Sequence, residues 1–173
     1  MNWSRQDTRA LIEAAVERPV MAKWVVQVIR RHHGEVGLVE KLARLEEFLL
    51  TVPPHIWGVS DCSLAIADWA VANGHEDGAA DLRGAYATEA ECKALLAARG
   101  GLVAVVGACA AQLGLTPLHE PELGCIAVIG APDRPDRQWA AIWSGHRWLV
   151  KWGDERSASW VPFAASPLAL WRI

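Results

Sequence analysis

A chain of 173 residues, 52% of them hydrophobic, has enough material for a core and the length of one domain, or of one domain with an appendage. Its 17 basic and 20 acidic residues leave a net charge of −3, with no basic cluster denser than Arg30-Arg31, which argues against nucleic acid as the main partner. Cys62, Cys92, Cys109 and Cys125 are unevenly spaced with no CxxC pair, so buried reduced thiols are expected, with no metal and no cofactor.

No apolar run approaches the length of a membrane span, and Arg5, Asp7 and Arg9 stand where a signal peptide would carry its apolar stretch. The protein is therefore expected to be made in a cytoplasm and to leave it only if carried.

Three helices are predicted to open the chain. The first is capped by Asp7 or Thr8 and limited by Pro19; the second carries the stripe Met21, Trp24, Val25, Val28 and Ile29 and stops at Gly34. The third places Leu38, Leu42, Leu45 and Leu49 on one face and ends before Pro53-Pro54.

The run Trp57-Gly58-Val59-Ser60-Asp61-Cys62-Ser63 then leads into the nearly uncharged stretch Leu64 to Ala72. Ser60 and Asp61 are both good N-caps, and a helix apolar nearly all round is a central, buried one. Cys62 thus falls in a first helical turn, where unpaired N–H groups and the helix dipole favour a thiolate. Asp61 opposes that by placing a negative charge beside the sulfur. A small buried thiol with no chemical role fits the same position.

Beyond the loop Asn73 to Tyr86, which contains Asp81-Leu82-Arg83-Gly84, a polar helix is predicted over Thr88–Arg99. Another carries Leu102, Val105, Val106, Cys109, Ala110 and Leu113 up to Gly114; Cys92 and Cys109 lie on these helices as core residues. The texture then becomes β-type. Strands are predicted over Gly124–Gly130, Gln138–Ser144, Arg147–Trp152, Trp160–Phe163 and Leu168–Ile173, with a tight turn at Gly145-His146. Helices followed by antiparallel strands make an α+β fold, a small antiparallel sheet packed on a central buried helix.

Ten tryptophans against two Phe and one Tyr are the compositional anomaly, and Trp139, Trp143, Trp148 and Trp152 fall within fourteen residues. Tryptophan is enriched at interfaces, although a small mixed domain can also bury several in its own core.

The order of aromatic-Gly, Asp-Cys-Ser at a helix start, a helical insert, a Gly-x-Ile-x-Val strand and a strand ending in small-Ile-Trp-Ser-Gly resembles the NlpC-type branch of the papain-like cysteine peptidases. More closely, the chain resembles an uncharacterised family of tailed phages and prophages. The motifs that carry this likeness are Trp57-Gly58-Val59-Ser60-Asp61-Cys62, Asp81-Leu82-Arg83-Gly84-Ala85-Tyr86 and Trp171-Arg172-Ile173. It covers residues 42–173 and leaves 1–41 as an N-terminal helical extension.

The resemblance implies a papain-like fold and a place near the tail-tip hub and tape measure. It also implies a catalytic histidine opening the strand Trp139-Ala140-Ala141-Ile142-Trp143, where this chain has Trp139. An indole accepts no proton. Cysteine catalysis needs a partner that takes and returns the proton, and that help is typically worth about 10²–10⁴-fold.

Three functions follow as expectations. The first is a non-enzymatic virion component, in which Cys62 is a vestigial nucleophile. Trp57, Trp139, Trp143 and Trp148 would be its contact residues, other tail proteins (hub, distal tail or tape-measure neighbours) its partners, and peptidoglycan a further one. The second is a peptidoglycan-cleaving cysteine peptidase using Cys62 with His55 or His146 as rescue base. The third is an assembly factor absent from the finished particle.

Overall fold

The computed structural model describes residues 36–173; the two helices expected before Gly34 lie outside them. Four helices come first: α1 (Val36–Leu50), α2 (Cys62–Ala72), α3 (Glu89–Ala98) and α4 (Leu102–Gln112). Five strands follow: β1 (Ile126–Gly130), β2 (Gln138–Trp143), β3 (Trp148–Gly153), β4 (Ala158–Phe163) and β5 (Pro167–Trp171). The strands form one sheet in the order β4-β3-β2-β1-β5 with every pairing antiparallel, so the protein is a mixed α+β fold.

The helices form where apolar periodicity and caps agree. In α1 the leucine stripe delivers Leu42 and Leu45 to the core, both essentially inaccessible to solvent; the expected division at residue 41 falls inside this helix. Of the two possible caps for α2, Asp61 takes the position, and its carboxylate accepts from the N–H groups of Ser63 and Leu64. Ser60 instead donates its hydroxyl to the Pro54 carbonyl at 2.5 Å. Thr88 caps α3 by accepting from Glu91 N–H, and Gly101 separates α3 from α4 at a positive φ of 93°, a conformation that glycine adopts without steric cost. No single helix among the described residues is long and apolar enough to cross a membrane.

Strand alternation divides the buried residues between the two faces of the sheet. Ile126, Val128, Ala140 and Ile142 join Leu42, Leu45, Ile66, Trp69 and Val106 in the main core. Trp69 anchors it, fully buried, with its indole N–H donated to the Gly124 carbonyl at 2.7 Å and its ring 5.2 Å from that of Phe48. Ala127, Ile129, Ala141, Trp148 and Val150 form a second cluster, against which Cys62, Trp139 and Phe163 pack.

The turn between β2 and β3 sets the register. Buried Ser144 donates its hydroxyl to the Arg147 carbonyl and accepts from the Arg147 N–H, so that Trp143 pairs with Trp148 and Ile142 with Leu149. Continuing that register brings Trp139 opposite Trp152, and their ring centroids lie 6.2 Å apart.

Candidate functional site

The loop leading into α2 is built around Asp61. Its Oδ1 accepts from Ser63 N (2.9 Å) and Leu64 N (3.1 Å), and its Oδ2 accepts from Gly58 N (3.0 Å) and the Tyr86 hydroxyl (2.6 Å). Only 1% of this residue is exposed, yet four donors face its carboxylate, which meets the requirement that a buried charge be hydrogen-bonded. Gly58 is obligatory here. Its φ is +70°, and a Cβ at this position would sit 1.9 Å from the Tyr86 carbonyl oxygen.

The segment Asp81 to Tyr86 is the other half of the same assembly. Gly84 N–H donates to the Gly58 carbonyl at 2.8 Å, Leu82 is buried with Leu64, Ala79 and Val105, and Arg83 bridges Asp77 (2.6 Å) and Asp68 on α2 (2.7 Å). The two motifs therefore meet in space through Gly58, Asp61, Gly84 and Tyr86, and what they jointly secure is the start of α2.

Cys62 opens a cleft of about 730 Å³ whose walls include His55, Trp57, Glu89, Trp139, Lys151, Trp152 and Asp154. Trp139 and Trp152 form an aromatic wall that Phe163 supports, with Trp139 and Phe163 stacked at 5.9 Å and 21°. Lys151 is buried, and its ammonium donates to the carbonyls of Pro54 and Ser60. This ties β3 to the loop that leads into Cys62.

Burial pushes the Cys62 thiol up to about 12, and the neighbouring Asp61 carboxylate acts in the same direction. The pull of the helix N-terminus towards a thiolate is thus outweighed, because desolvation penalises the charged form more than the dipole favours it. The sulfur's hydrogen-bonding contact is Ser63 Oγ at 3.9 Å. Burial also pushes the Tyr86 hydroxyl far above its ordinary range, with Asp61 as the hydrogen-bonding partner that adds to the shift.

The expected rescue bases separate clearly. His55 lines the cleft with Cys62, but both its ring nitrogens are buried without a hydrogen-bond partner, so it is not bonded to the sulfur. Its ring stands edge-on to Trp57 at 4.7 Å. His146 lies in the turn at the far end of β2, four strand residues beyond Trp139 and more, and is not among the cleft residues.

Of the four tryptophans expected as contact residues, Trp57 and Trp139 line the cleft. Trp148 is corrected to a core residue: it is 1% exposed and packs on Trp143 with centroids 4.8 Å apart, so it has no surface left for a partner. Trp143 is half-buried against the same cluster. Sequence reasoning missed Lys151 and Trp152 as wall residues, although the tight turn at Gly145-His146 already implied the register that sets Trp152 opposite Trp139.

Burial holds the His55 imidazole below its ordinary value of 6.5. A base whose pKa is depressed on folding stabilises the native state above its unfolded pKa, and that stability is lost as pH falls towards the folded value. Chemical denaturation is therefore expected to show stability declining as pH drops below about 6.5. In His55→Phe this component of the decline should disappear.

The fold and the site together define a small α+β domain with a protonated thiol at the head of its central helix and an indole-walled cleft before it. Residues 41–173 match the family described as Domain of unknown function (DUF6950), and the chain belongs to that family. No curated protein matches the chain, and no solved structure does.

Proposed function

We propose that this chain is a structural component of a tailed-phage virion, seated in the tail-tip or hub region. On this reading it is built on a degenerate NlpC-type papain-like domain whose cysteine no longer turns over substrate. The motifs at residues 57–62, 81–86 and 171–173 support the phage-family likeness. A thiol at the start of a central helix, set against an antiparallel sheet, supports the papain-like reading of the α+β fold.

The observation that carries the non-enzymatic reading is that Cys62 and Trp139 line one cleft. An indole occupies the wall from which a base would act, and the thiol stays protonated at neutral pH. Acid–base help of about 10²–10⁴-fold is forfeited, and Asp61, saturated by four donors, does not replace it.

The runner-up is a peptidoglycan peptidase using Cys62. It draws on His55, which lines the same cleft and whose buried ring nitrogens are bonded to no protein group.

Mass spectrometry of purified particles of the encoding phage, joined to a Cys62→Ser variant, tests the two. The protein is expected in particles, in the tail fraction, with Cys62→Ser particles as infectious as the parent and neither form clearing cell-wall sacculi. Its absence from particles would favour the assembly factor. Sacculus cleavage abolished by Cys62→Ser would establish the peptidase.

A further inference from the structure

Residues 51–56 run from the end of α1 towards the head of α2 without regular secondary structure, and form a strap along the cleft. Pro53 and Pro54 supply no main-chain N–H, so few bonds tie the strap down. His55 N–H donates to the Asp154 carbonyl at 2.9 Å, and the Ile56 carbonyl accepts from Val59 N (3.1 Å) and Ser60 N (2.8 Å). On either side, the Lys151 ammonium donates to the Pro54 and Ser60 carbonyls.

The ring of His55 is the weak point of this strap. Both its nitrogens are sealed from solvent and bonded to no protein group. A neutral imidazole leaves one donor unpaired there, whereas an imidazolium brings two donors and a charge. The surroundings offer that charge little relief. From the head of α2 the Asp61 carboxylate attracts it, but four donors already occupy that group, and from β3 the Lys151 ammonium repels it. Trp57, edge-on at 4.7 Å, offers only an indole's attraction for a cation. The other titratable groups in the cleft walls are Cys62, Glu89, Asp154, Glu155 and Arg156, and none of them bonds the ring.

We propose that His55 is an acid-sensitive latch: on taking up a proton its ring leaves the buried site for water, and residues 55–57 swing away from β3, widening the cleft in front of Cys62. The swing gives up the His55 bond to Asp154 and the two bonds to the Ile56 carbonyl. Lys151 still holds Pro54 and Ser60, so the opening is local and the head of α2 stays in place. The sign follows from burial, which holds the closed-state imidazole below its ordinary value of 6.5: the closed form is favoured above that value and loses ground as pH falls. Between pH 7.5 and 5.0, one such imidazole raises the open fraction about thirtyfold at most. The latch involves no covalent change and is independent of whether Cys62 turns over substrate.

Amide hydrogen exchange of the full chain, read residue by residue by NMR at pH 7.5 and 5.0 and corrected for the intrinsic pH dependence of exchange, tests the proposal. The amides of His55, Val59 and Ser60 are expected to lose protection by about five- to thirtyfold at the lower pH. Their exchange should be insensitive to low urea, the mark of a local opening, whereas the amides of β1 should follow urea as globally protected ones do. His55→Phe keeps a ring beside Trp57 without nitrogens, and its protection at these amides should be the same at both pH values within about twofold. Titration of the His55 ring in the parent needs no variant and is expected to show a midpoint below 6.5. Protection that does not change with pH in the parent, a pH dependence that survives in His55→Phe, exchange that follows urea as β1 does, or a ring midpoint at or above 6.5 would overturn the latch.

Discussion

Asp61→Ala is expected to cost about 3–5 kcal/mol of folding stability, the cost of leaving buried partners of a charge unpaired. The substitution strips the acceptor from Gly58 N, Ser63 N, Leu64 N and the Tyr86 hydroxyl at once. It also removes the N-cap of α2, and with it the fixed start of the helix that carries Cys62 and Trp69. Against a total of about 5–15 kcal/mol for a domain, such a loss leaves a protein that melts near or below working temperature.

Urea denaturation measures the effect, and Tyr86→Phe supplies the comparison. That change removes one donor and leaves the carboxylate three, so it should cost about 1.5–3 kcal/mol. The double variant should cost less than the sum, since the two groups share one hydrogen bond. If Asp61→Ala proves neutral, the buried carboxylate is not what organises the loop.

The second large effect concerns the thiol. A value of about 12 in place of the ordinary 9.0 lowers the thiolate fraction near neutral pH about a thousandfold. In a variant retaining only Cys62, alkylation by iodoacetamide at pH 7.5 is expected to run about a thousandfold slower than that of an unstructured cysteine peptide. The rate should climb steeply only in strongly alkaline solution.

The same shift has a stability consequence of definite sign. A thiol whose pKa is raised on folding contributes stability that is complete below the unfolded value, and loses it as pH rises from about 9 towards about 12. Cys62→Ala should remove this part of the alkaline loss. Rapid labelling of Cys62 in that single-cysteine variant at neutral pH would mean an activated cysteine and would favour the peptidase reading.

Much of this architecture can be read directly from local patterns. The leucine stripe of α1, the caps of α2 and α3 and the glycines bounding β1 are signals carried within a few residues, and the observed elements begin and end close to where those signals fall. The juxtaposition of Cys62 with Trp139 depends on strand order, yet the helix start and the β2 pattern located both residues.

What stayed hidden required contacts distant in sequence. Tyr86 reaches Asp61 across 25 residues and Lys151 reaches Ser60 across 91, and no periodicity announces either bond. The fate of Trp148 was equally opaque. Trp148 and Trp152 lie on one strand two pleats apart, and only the surrounding sheet decides that the first is sealed and the second open.

The clasp between Gly58 and Gly84, with Asp61 and Tyr86 at its centre, changes what the shared signatures of such chains mean. The needs of the fold alone account for Gly58 and Asp61 in the first motif and for Gly84 and Tyr86 in the second, because each pair supplies half of a buckle that holds the helix head in place. If the proposed reading holds, a lineage could shed chemistry and keep its fingerprint, and kin gathered by those letters would differ at the position of Trp139.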